Sequence, residues 1–360
     1  MGDSFDLAAI GATDEVYRVF QSYKSRGLTL GRVSIVYGER YRIYTAHGEM
    51  QAEAIGALLY RAEASEWPAV GDWVAAECVG PGQAMIHAIL PRRTAFSRRA
   101  AGDREREQVI AANIDLLLIV CGLDQDFNLR RIERYLTLAH ASGSRPIIVL
   151  NKSDVCPDLP VRIERANAIA GAVPVVSVTA CAADGIEPVR RLLGPGLTAA
   201  LTGSSGAGKS TLVNQLLGVQ RQQVQQVRES DSRGRHTTTY RELLPLPNGG
   251  ALIDTPGMRE LQLWTGTESL DNTFAEIAAL AAHCRFRDCS HNVEDGCAVR
   301  AAMLAGELDP SRWQSYEKLR AEIAWHERQI DPRAARAQKQ EWKKIHKAMR
   351  VRYKNDPAGG

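Results

Sequence analysis

The stretch Gly203-Ser204-Ser205-Gly206-Ala207-Gly208-Lys209-Ser210-Thr211 sets the fold prediction for this chain. An apolar run at 197–202 predicts a strand before it, and residues 212–217 predict the start of a helix after it. Glycines let a backbone approach an anion closely, and the N–H groups at a helix N-terminus then face that anion. The pattern GxxxxGK[ST] in this context predicts a site for nucleotide phosphates, with Lys209 on the phosphates and Ser210 on Mg²⁺.

A second motif indicates which base the site accepts. Asn151-Lys152-Ser153-Asp154 follows a buried-strand run at 146–150 and matches the NKxD sequence of GTPases. A carboxylate at Asp154 can accept from guanine N1–H and the 2-amino group, two donors that adenine lacks. Asn151 is expected to hold the loop and the base edge, and the Lys152 stem to pack on the ring. The motif therefore favours GTP and argues against a metabolic kinase that uses ATP.

Three further segments complete the predicted GTPase. Ser177-Val178-Thr179-Ala180 ends another strand and resembles the SAK loop that meets guanine O6, with Val178 at the usual Ala position. Asp254-Thr255-Pro256-Gly257 is a DxxG motif, in which Asp254 is expected near Mg²⁺ and Gly257 at the γ-phosphate. The polar segment 233–239 lies where a switch I threonine belongs. One of Thr237, Thr238 and Thr239 is expected to hold Mg²⁺, and Thr238 is the candidate.

The order of these motifs is unusual. The base motif and the SAK-like loop precede the phosphate loop, whereas GTPases ordinarily begin with the phosphate loop. The order predicts a circular permutation, which a parallel sheet tolerates because its packed strands are unchanged. Strand–helix alternation from Gln108 to about residue 264 predicts a doubly wound α/β sheet.

A cysteine cluster lies beyond these motifs. Cys284, Cys289, His291 and Cys297 fall within fourteen residues, and three thiolates with one imidazole can close a tetrahedron around Zn²⁺. With no position left open, the zinc is expected to be structural and to stabilise a small helical domain. His283 is an alternative imidazole, but its adjacency to Cys284 makes joint ligation awkward.

The permuted order, the segment Arg235-His236-Thr237-Thr238-Thr239 and the cysteine cluster resemble the ribosome-small-subunit-dependent GTPase A family, over about residues 28–342. The resemblance implies a GTP hydrolase that binds the small (30S) ribosomal subunit and its rRNA and assists late maturation. Met258 stands where a water-orienting Gln follows DxxG in Ras-like GTPases. We therefore expect slow hydrolysis by the isolated protein and faster hydrolysis on the subunit, where His236 is the candidate catalytic residue with Lys209 and Gly257. On the residues alone, His236 is equally well a solvated loop histidine.

The N-terminal third has a different character. Short alternating segments at 28–36, 41–44, 71–76 and 84–90 predict a small barrel of the OB type, whose exposed Tyr and Arg side chains would suit nucleic acid. A structural barrel without a ligand is the alternative. The basic connector 91–99 is either a solvated linker or an RNA-phosphate contact.

Composition adds the compartment and the remaining partners. No apolar run reaches the ~18 residues of a bilayer span, residues 1–27 lack a signal-peptide core, and the formal net charge is +3. Scattered cysteines, expected to be buried thiols, fit a reducing cytoplasm; they are Cys78, Cys121, Cys156 and Cys181. Between Arg333 and Lys354 basic residues dominate, which suits rRNA phosphates. We expect a cytoplasmic monomer with GTP, GDP, the small subunit and other assembly factors as partners, and no membrane.

The predicted fold class is therefore multidomain α/β: an arm (1–27), an OB-type barrel (28–98), a circularly permuted GTPase domain (108–268), a helical zinc-binding domain (270–330) and a basic helix and tail (331–360). A GTP-dependent regulator of another RNA or protein target stays open as the alternative function.

Overall fold

A computed structural model describes residues 5–61, 66–99, 107–182, 184–219, 241–254 and 267–330. The chain divides into two compact units, Met1–Gln262 and Leu263–Gly360. In the part of the chain that is described, no helix has both the length and the apolar character needed to cross a bilayer.

In the first unit most elements up to residue 122 are strands, and strands and helices alternate from residue 116 to residue 217. Its strands are β1 (Thr29–Tyr37), β2 (Arg40–Thr45), β3 (Gly48–Ala54), β4 (Trp73–Gly80), β5 (Gln83–Ile89), β6 (Ala95–Arg99), β7 (Glu107–Ala112), β8 (Leu116–Gly122), β9 (Arg145–Asn151), β10 (Val175–Val178), β11 (Thr198–Thr202), β12 (Glu242–Pro245) and β13 (Ala251–Asp254). Its helices are α1 (Asp14–Lys24), α2 (Gly56–Arg61), α3 (Leu129–Ser142), α4 (Leu159–Ala170), α5 (Glu187–Arg190) and α6 (Lys209–Leu217).

The predicted barrel is present and closed. Its strands are hydrogen-bonded in the order β1-β2-β3-β5-β4, and β4 returns to β1. Strand β3 alternates between buried and exposed side chains along its whole length, as expected when one face covers a core. The core contains Val33, Ile43, Val74 and Ile86, none of which is exposed. A closed barrel removes the free strand edges at which sheets aggregate.

The half of the unit that follows the barrel is a mainly parallel sheet. Its order is β10-β9-β8-β11-β13-β12, with β12 antiparallel to β13. Strand β8 is buried along its whole length because helices cover both faces of the sheet. Side chains of α5 and α6, such as Val189 and Leu212, join the apolar core on one face, and α3 and α4 pack against β8, β9 and β10.

The two halves share one continuous sheet. Strand β1 of the barrel pairs antiparallel with β12 through Ile35 and Glu242, so eleven strands are joined edge to edge. The Tyr44 hydroxyl of β2 donates to the Leu243 carbonyl at 3.5 Å. The barrel therefore contacts the strand that follows the predicted switch I segment in the chain.

The N-terminal arm packs on both halves. Its helix α1 is capped by the Thr13 hydroxyl and buries Val16 and Phe20. Before the helix, the Ala9 carbonyl accepts from the amides of Gly196 and Gly250 at 2.9 and 2.7 Å. The arm therefore lies at the end of the sheet where β11 and β13 begin.

A buried arginine joins the arm to both halves. Arg32, which is 1% exposed, stacks on Trp73 at 5.0 Å and donates to the carbonyls of Ile10, Gly71 and Asn113. These three carbonyls belong to the arm, the barrel and the segment before β8. A single guanidinium therefore satisfies backbone groups from all three parts.

Two sequence-based expectations about the barrel are wrong. Tyr41 and Tyr44 are buried, at 2% and 8% exposure, because their rings fill the core and the junction with β12. The connector 91–99 is not a solvated linker, because Arg92 and Arg93 form ion pairs; the alternative, an RNA-phosphate contact, stays a prediction. Arg92 is paired with the buried Asp72 at 2.8 Å, Arg93 is paired with Asp115 at 3.1 Å, and β6 pairs antiparallel with β7.

The second unit is helical. It contains α7 (Thr267–Thr273), α8 (Ala275–Ala281), α9 (Ala298–Ala305) and α10 (Pro310–Ile330). Phe274 packs edge-on against Tyr316 at 5.6 Å, and the Arg312 guanidinium lies 4.2 Å from the Phe274 ring centre. The loop between α8 and α9 carries the cysteine cluster. The predicted basic helix at 331–360 lies outside the described residues.

Candidate nucleotide-binding site and metal cluster

The predicted motifs meet at one edge of the sheet. Strands β8, β9, β10, β11 and β13 run parallel, and their carboxyl ends lie side by side. Chain order reverses between β8 and β11, because β9 and β10 lie on one side of β8 and β11 lies on the other. Ligands of open α/β sheets bind in the crevice at such a reversal. The phosphate loop leaves β11 at this point.

The phosphate loop has the backbone that its glycines predict. Gly203, Gly206 and Gly208 have φ values of 140°, 80° and 92°. A Cβ on Gly203 would lie 2.1 Å from the Val120 carbonyl oxygen, so β8 and the loop pack too closely for any other residue. Helix α6 begins at Lys209, whose Nζ donates to the carbonyls of Gly203 and Ser204 at 2.9 and 2.5 Å. The ammonium therefore lies over the loop.

Asn151 connects the base motif to the phosphate loop. Its Nδ2 donates to the Ala207 carbonyl at 2.9 Å, and its Oδ1 accepts from the Ala180 amide at 3.0 Å. The side chain is 2% exposed. One amide group thus fixes the ends of β9, β10 and β11 relative to one another. The predicted base and phosphate motifs, 56 positions apart at this contact, are brought together.

The remaining base-motif residues lie around this contact. Lys152 adopts the left-handed conformation with φ 67°. The Ser153 hydroxyl hydrogen-bonds with the Val178 carbonyl at 3.1 Å and with the Thr179 hydroxyl at 2.8 Å. Asp154 is exposed in a short 3-10 turn, and its Oδ2 lies 4.0 Å from the Cys181 sulfur.

Strand β10 extends two residues further than predicted, into the SAK-like segment 177–180. Ser177 is inside β10, where it is paired with Leu150. The contacts with the base motif come from Val178, Thr179 and Ala180. The apolar run at 173–176 predicts only part of the strand, because pairing with β9 continues through Val178.

An acidic loop after β8 was not predicted from the sequence. Asp124 Oδ2 accepts from Lys152 Nζ at 2.5 Å, and Asp126 accepts from the Ser204 hydroxyl. Burial raises the pKa of Asp124, but hydrogen bonds from Lys152 and from the Asp126 amide outweigh burial and hold that pKa below its ordinary value. Polar residues directly after a parallel strand lie at the ligand-binding edge of the sheet, so the position of Asp124 and Asp126 after β8 is a sequence signal for this loop.

The remaining predicted site residues fall partly inside and partly outside the described residues. Asp254 ends β13, opposite Glu242 of β12. His236, the switch I threonines Thr237, Thr238 and Thr239, Gly257 and Met258 lie outside the described residues. Ser205, Ser210 and Thr211 occupy the phosphate loop and the first turn of α6, as predicted.

The cysteine cluster has the geometry of a four-ligand metal site. The ligand atoms of Cys284, Cys289, His291 and Cys297 all lie within 4.8 Å of one another. The sulfurs of Cys284 and Cys297 are 3.9 Å apart, and they lie 3.5 and 3.4 Å from His291 Nδ1. A tetrahedron with the bond lengths of zinc has edges of about 3.8 Å between sulfurs and about 3.6 Å between sulfur and nitrogen. These residues could therefore hold a metal ion.

The loop around the cluster supports His291 as the imidazole. His291 is buried and lies edge-on to Trp313 at 5.5 Å, whereas His283 is exposed and contacts the Ala279 carbonyl at 2.8 Å. Glu294 accepts from the amides of Ser290, Asn292 and Val293 and from the Ser290 hydroxyl. These hydrogen bonds, led by that of the hydroxyl, lower the pKa of Glu294 to about 2. The carboxylate therefore clamps the residues on both sides of His291.

The four scattered cysteines do not share one environment. Cys121 is buried, and burial raises the pKa of its thiol to about 11. Cys78 and Cys181 are exposed and Cys156 is half-buried, so the expectation of four buried thiols is wrong.

Comparisons with known proteins agree with this geometry. Residues 89–264 match the family model described as RsgA GTPase. A protein from Opitutus terrae named small ribosomal subunit biogenesis GTPase RsgA is 50% identical over 357 residues, which is 96% of this chain and 97% of that protein. A protein of the same name from Xanthomonas euvesicatoria is 54% identical over 263 residues, 72% of this chain and 70% of that one.

Two solved structures have the same fold. YjeQ from Thermotoga maritima superposes with a TM-score of 0.63 at 24% identity, covering 82% of this chain and 98% of that chain. YloQ, described as a circularly permuted GTPase, superposes with a TM-score of 0.60 at 23% identity, covering 82% and 95%. The predicted circular permutation is therefore confirmed.

Proposed function

Because this chain belongs to the RsgA GTPase family, we propose that it is a GTP hydrolase that binds the small ribosomal subunit and assists its late maturation. The observation that carries the nucleotide part is the double hydrogen bond of Asn151, which joins a guanine-type base motif to a phosphate loop. The subunit part is supported by relatives whose names assign them to small-subunit biogenesis.

The proposed nucleotide contacts follow from the positions of the loops. Asp154 would accept from the two guanine donors, and the amides of 203–208 with Lys209 would hold the phosphates. Mg²⁺ would arrive with GTP and be held by Ser210 and a switch I threonine, with Thr238 as the candidate and Asp254 acting through water. Asp154 is exposed without a ligand, and a bound base would cover it. A carboxylate covered by a base that offers no donors is costly, so adenine nucleotides should bind much more weakly.

The proposed catalytic arrangement depends on the subunit. Met258 cannot orient water, so we propose slow turnover by the isolated protein. Docking would place His236 at the attacking water, with Lys209 and the Gly257 amide at the γ-phosphate. Turnover of His236→Ala with and without small subunits tests this role. The expected result is a lost stimulation with an unchanged basal rate; full stimulation would exclude His236.

The proposed metal is one structural Zn²⁺ held by Cys284, Cys289, His291 and Cys297. The donor set and the interatomic distances fit zinc. A closed site supplies no reactive position, so its contribution is to the folding of the second unit. Mass spectrometry under native conditions should find one zinc per chain.

The proposed partners are GTP and GDP, the small subunit with its rRNA, and other assembly factors. The barrel, the zinc-binding unit and the basic segment 333–354 would supply the rRNA contacts. Subunit binding should weaken steeply with salt, because phosphate contacts release counterions. Removal of 333–360 should weaken it as well. We also propose that the protein acts in the cytoplasm as a monomer.

Cosedimentation with purified small subunits tests the central proposal. The wild-type protein and Lys209→Ala are compared with a non-hydrolysable GTP analogue, with GDP and without nucleotide. Binding that depends on the analogue and is lost in Lys209→Ala supports the proposal. Tight, selective guanine-nucleotide binding without any subunit association would instead indicate a regulator of another RNA or protein target.

A further inference from the structure

The acidic loop after β8, residues 123–127, is held in place from several sides. Arg162 Nη1 of helix α4 donates to the carbonyls of Leu123 and Asp124 at 2.9 and 3.0 Å. The Leu123 amide donates to the Asn151 carbonyl at 2.8 Å, and the Asp126 amide donates to Asp124 Oδ1 at 3.0 Å. The two carboxylates therefore occupy defined positions.

Asp126 contacts the phosphate loop. Asp126 accepts from the Ser204 hydroxyl and from Arg131 Nη1. Ser204 follows Gly203, which packs directly on the Val120 carbonyl of β8. Hydrogen bonds to an ionised acceptor are about twice as strong as those between neutral groups. Asp126 is thus the side-chain contact that ties the β8 loop to the start of the phosphate loop.

Asp124 contacts the base motif. Asp124 Oδ2 lies 2.5 Å from Lys152 Nζ, and the two side chains are 36% and 27% exposed. Lys152 has a left-handed backbone, a conformation that ordinary residues adopt only when their surroundings hold them. The ion pair fixes the far end of the Lys152 side chain, so the aliphatic stem is held between a constrained backbone and a paired ammonium.

We propose that Asp124 and Asp126 are positioning residues that act on opposite ends of one nucleotide. Asp126, through Ser204, sets the phosphate loop; Asp124, through the ammonium of Lys152, sets the stem on which the base packs. The inference rests on the proposed guanine-nucleotide site and extends it, because neither aspartate belongs to the phosphate loop or to the NKxD motif.

The two roles separate in ligand affinity. A residue that acts through the phosphate loop affects a ligand with phosphates and leaves a nucleoside unaffected. A residue that acts through the base platform affects both by the same factor. Asp126→Ala should weaken GDP binding about ten-fold or more and guanosine binding less than two-fold. Asp124→Ala should weaken both about five-fold, as expected for a half-exposed ion pair.

The experiment measures GDP affinity by fluorescence titration and guanosine affinity by competition, using the full-length chain. The variants are Asp124→Ala, Asp126→Ala, Ser204→Ala and the double variant Asp126→Ala/Ser204→Ala. Glu164→Gln, which removes one exposed charge from α4 of the same unit, is the matched control. Thermal unfolding without nucleotide identifies any variant that loses affinity because it fails to fold.

The expected result includes non-additivity in the double variant, because both substitutions break the same contact. Additive losses, equal losses of GDP and guanosine in Asp126→Ala, or affinities like those of Glu164→Gln would overturn the positioning roles while leaving wild-type GDP binding intact. If the wild-type protein itself shows no preference for guanine nucleotides, the proposed function fails instead, and the positioning roles fail with it.

Discussion

Replacing Asn151 with alanine should separate the base loop from the phosphate loop. The substitution removes both hydrogen bonds of the Asn151 side chain, so the Ala207 carbonyl and the Ala180 amide lose this partner. Ala207 and Ala180 are 0% and 3% exposed, so water reaches these backbone groups poorly. The two loops would then have to be ordered by the nucleotide itself.

The magnitude follows from these two unpaired groups. A buried donor or acceptor that loses its partner costs about 1–3 kcal/mol. Two such groups, partly relieved by local rearrangement, give about 3 kcal/mol. Since 1.4 kcal/mol corresponds to a factor of ten, GDP affinity should fall by about 100-fold. Part of the same cost should appear as a lower urea midpoint of the nucleotide-free protein.

Calorimetric titration with GDP and urea unfolding without nucleotide measure the two effects. Asn167→Ala, an exposed asparagine on α4, is the matched control and should behave like the wild-type protein. If Asn151→Ala binds GDP within three-fold of Asn167→Ala, the amide does not organise the site and the reasoning is wrong.

Three further predictions concern single positions. Gly208→Ala should abolish measurable GDP binding, because the added Cβ would lie 2.1 Å from Asn151 Nδ2. Gly218→Ala is the control: Gly218 also has a positive φ, but no atom lies within 4 Å of the added Cβ, so GDP titration should show normal binding. Cys289→Ser or His291→Ala should remove the metal from the purified protein, as measured by elemental analysis, and lower the unfolding temperature of the second unit, as measured by calorimetry. His283→Ala should have neither effect. Glu294→Gln should release zinc to a chelator about ten-fold faster than the wild-type protein, because the carboxylate that holds the residues beside His291 loses its charge. Asp288→Asn, on the same loop, should release zinc at the wild-type rate when both are followed with a zinc-binding dye.

Local chemistry explains what could be predicted from the sequence. The phosphate loop needs glycines at positive φ and a lysine at the helix start, and Gly203, Gly208 and Lys209 meet these requirements directly. The cysteine cluster is similar, because ligand spacing and ligand chemistry narrow the choice to Cys284, Cys289, His291 and Cys297.

What could not be predicted depends on contacts between distant segments. Strand β3 contains Gly, Glu and Gln, which have little strand preference, and it forms because β2 and β5 pair with it on both sides. The aspartates of the β8 loop resemble ordinary turn residues until the fold brings Lys152 and Ser204 to them. Arg92 and Arg93 looked like solvent-facing charges because their carboxylate partners are about twenty positions away in the chain.

The edge-to-edge pairing of β1 with β12 limits how this protein can be divided. A fragment ending near residue 98 would expose the edge of β1 at Ile35, beyond its pairing with β4, and would strip the Arg32 guanidinium of its Asn113 acceptor. The complementary fragment would leave β12 as an unprotected border, open to other chains. Truncation at the apparent linker should therefore yield insoluble pieces, and limited proteolysis of the intact chain should not liberate the barrel as a stable product.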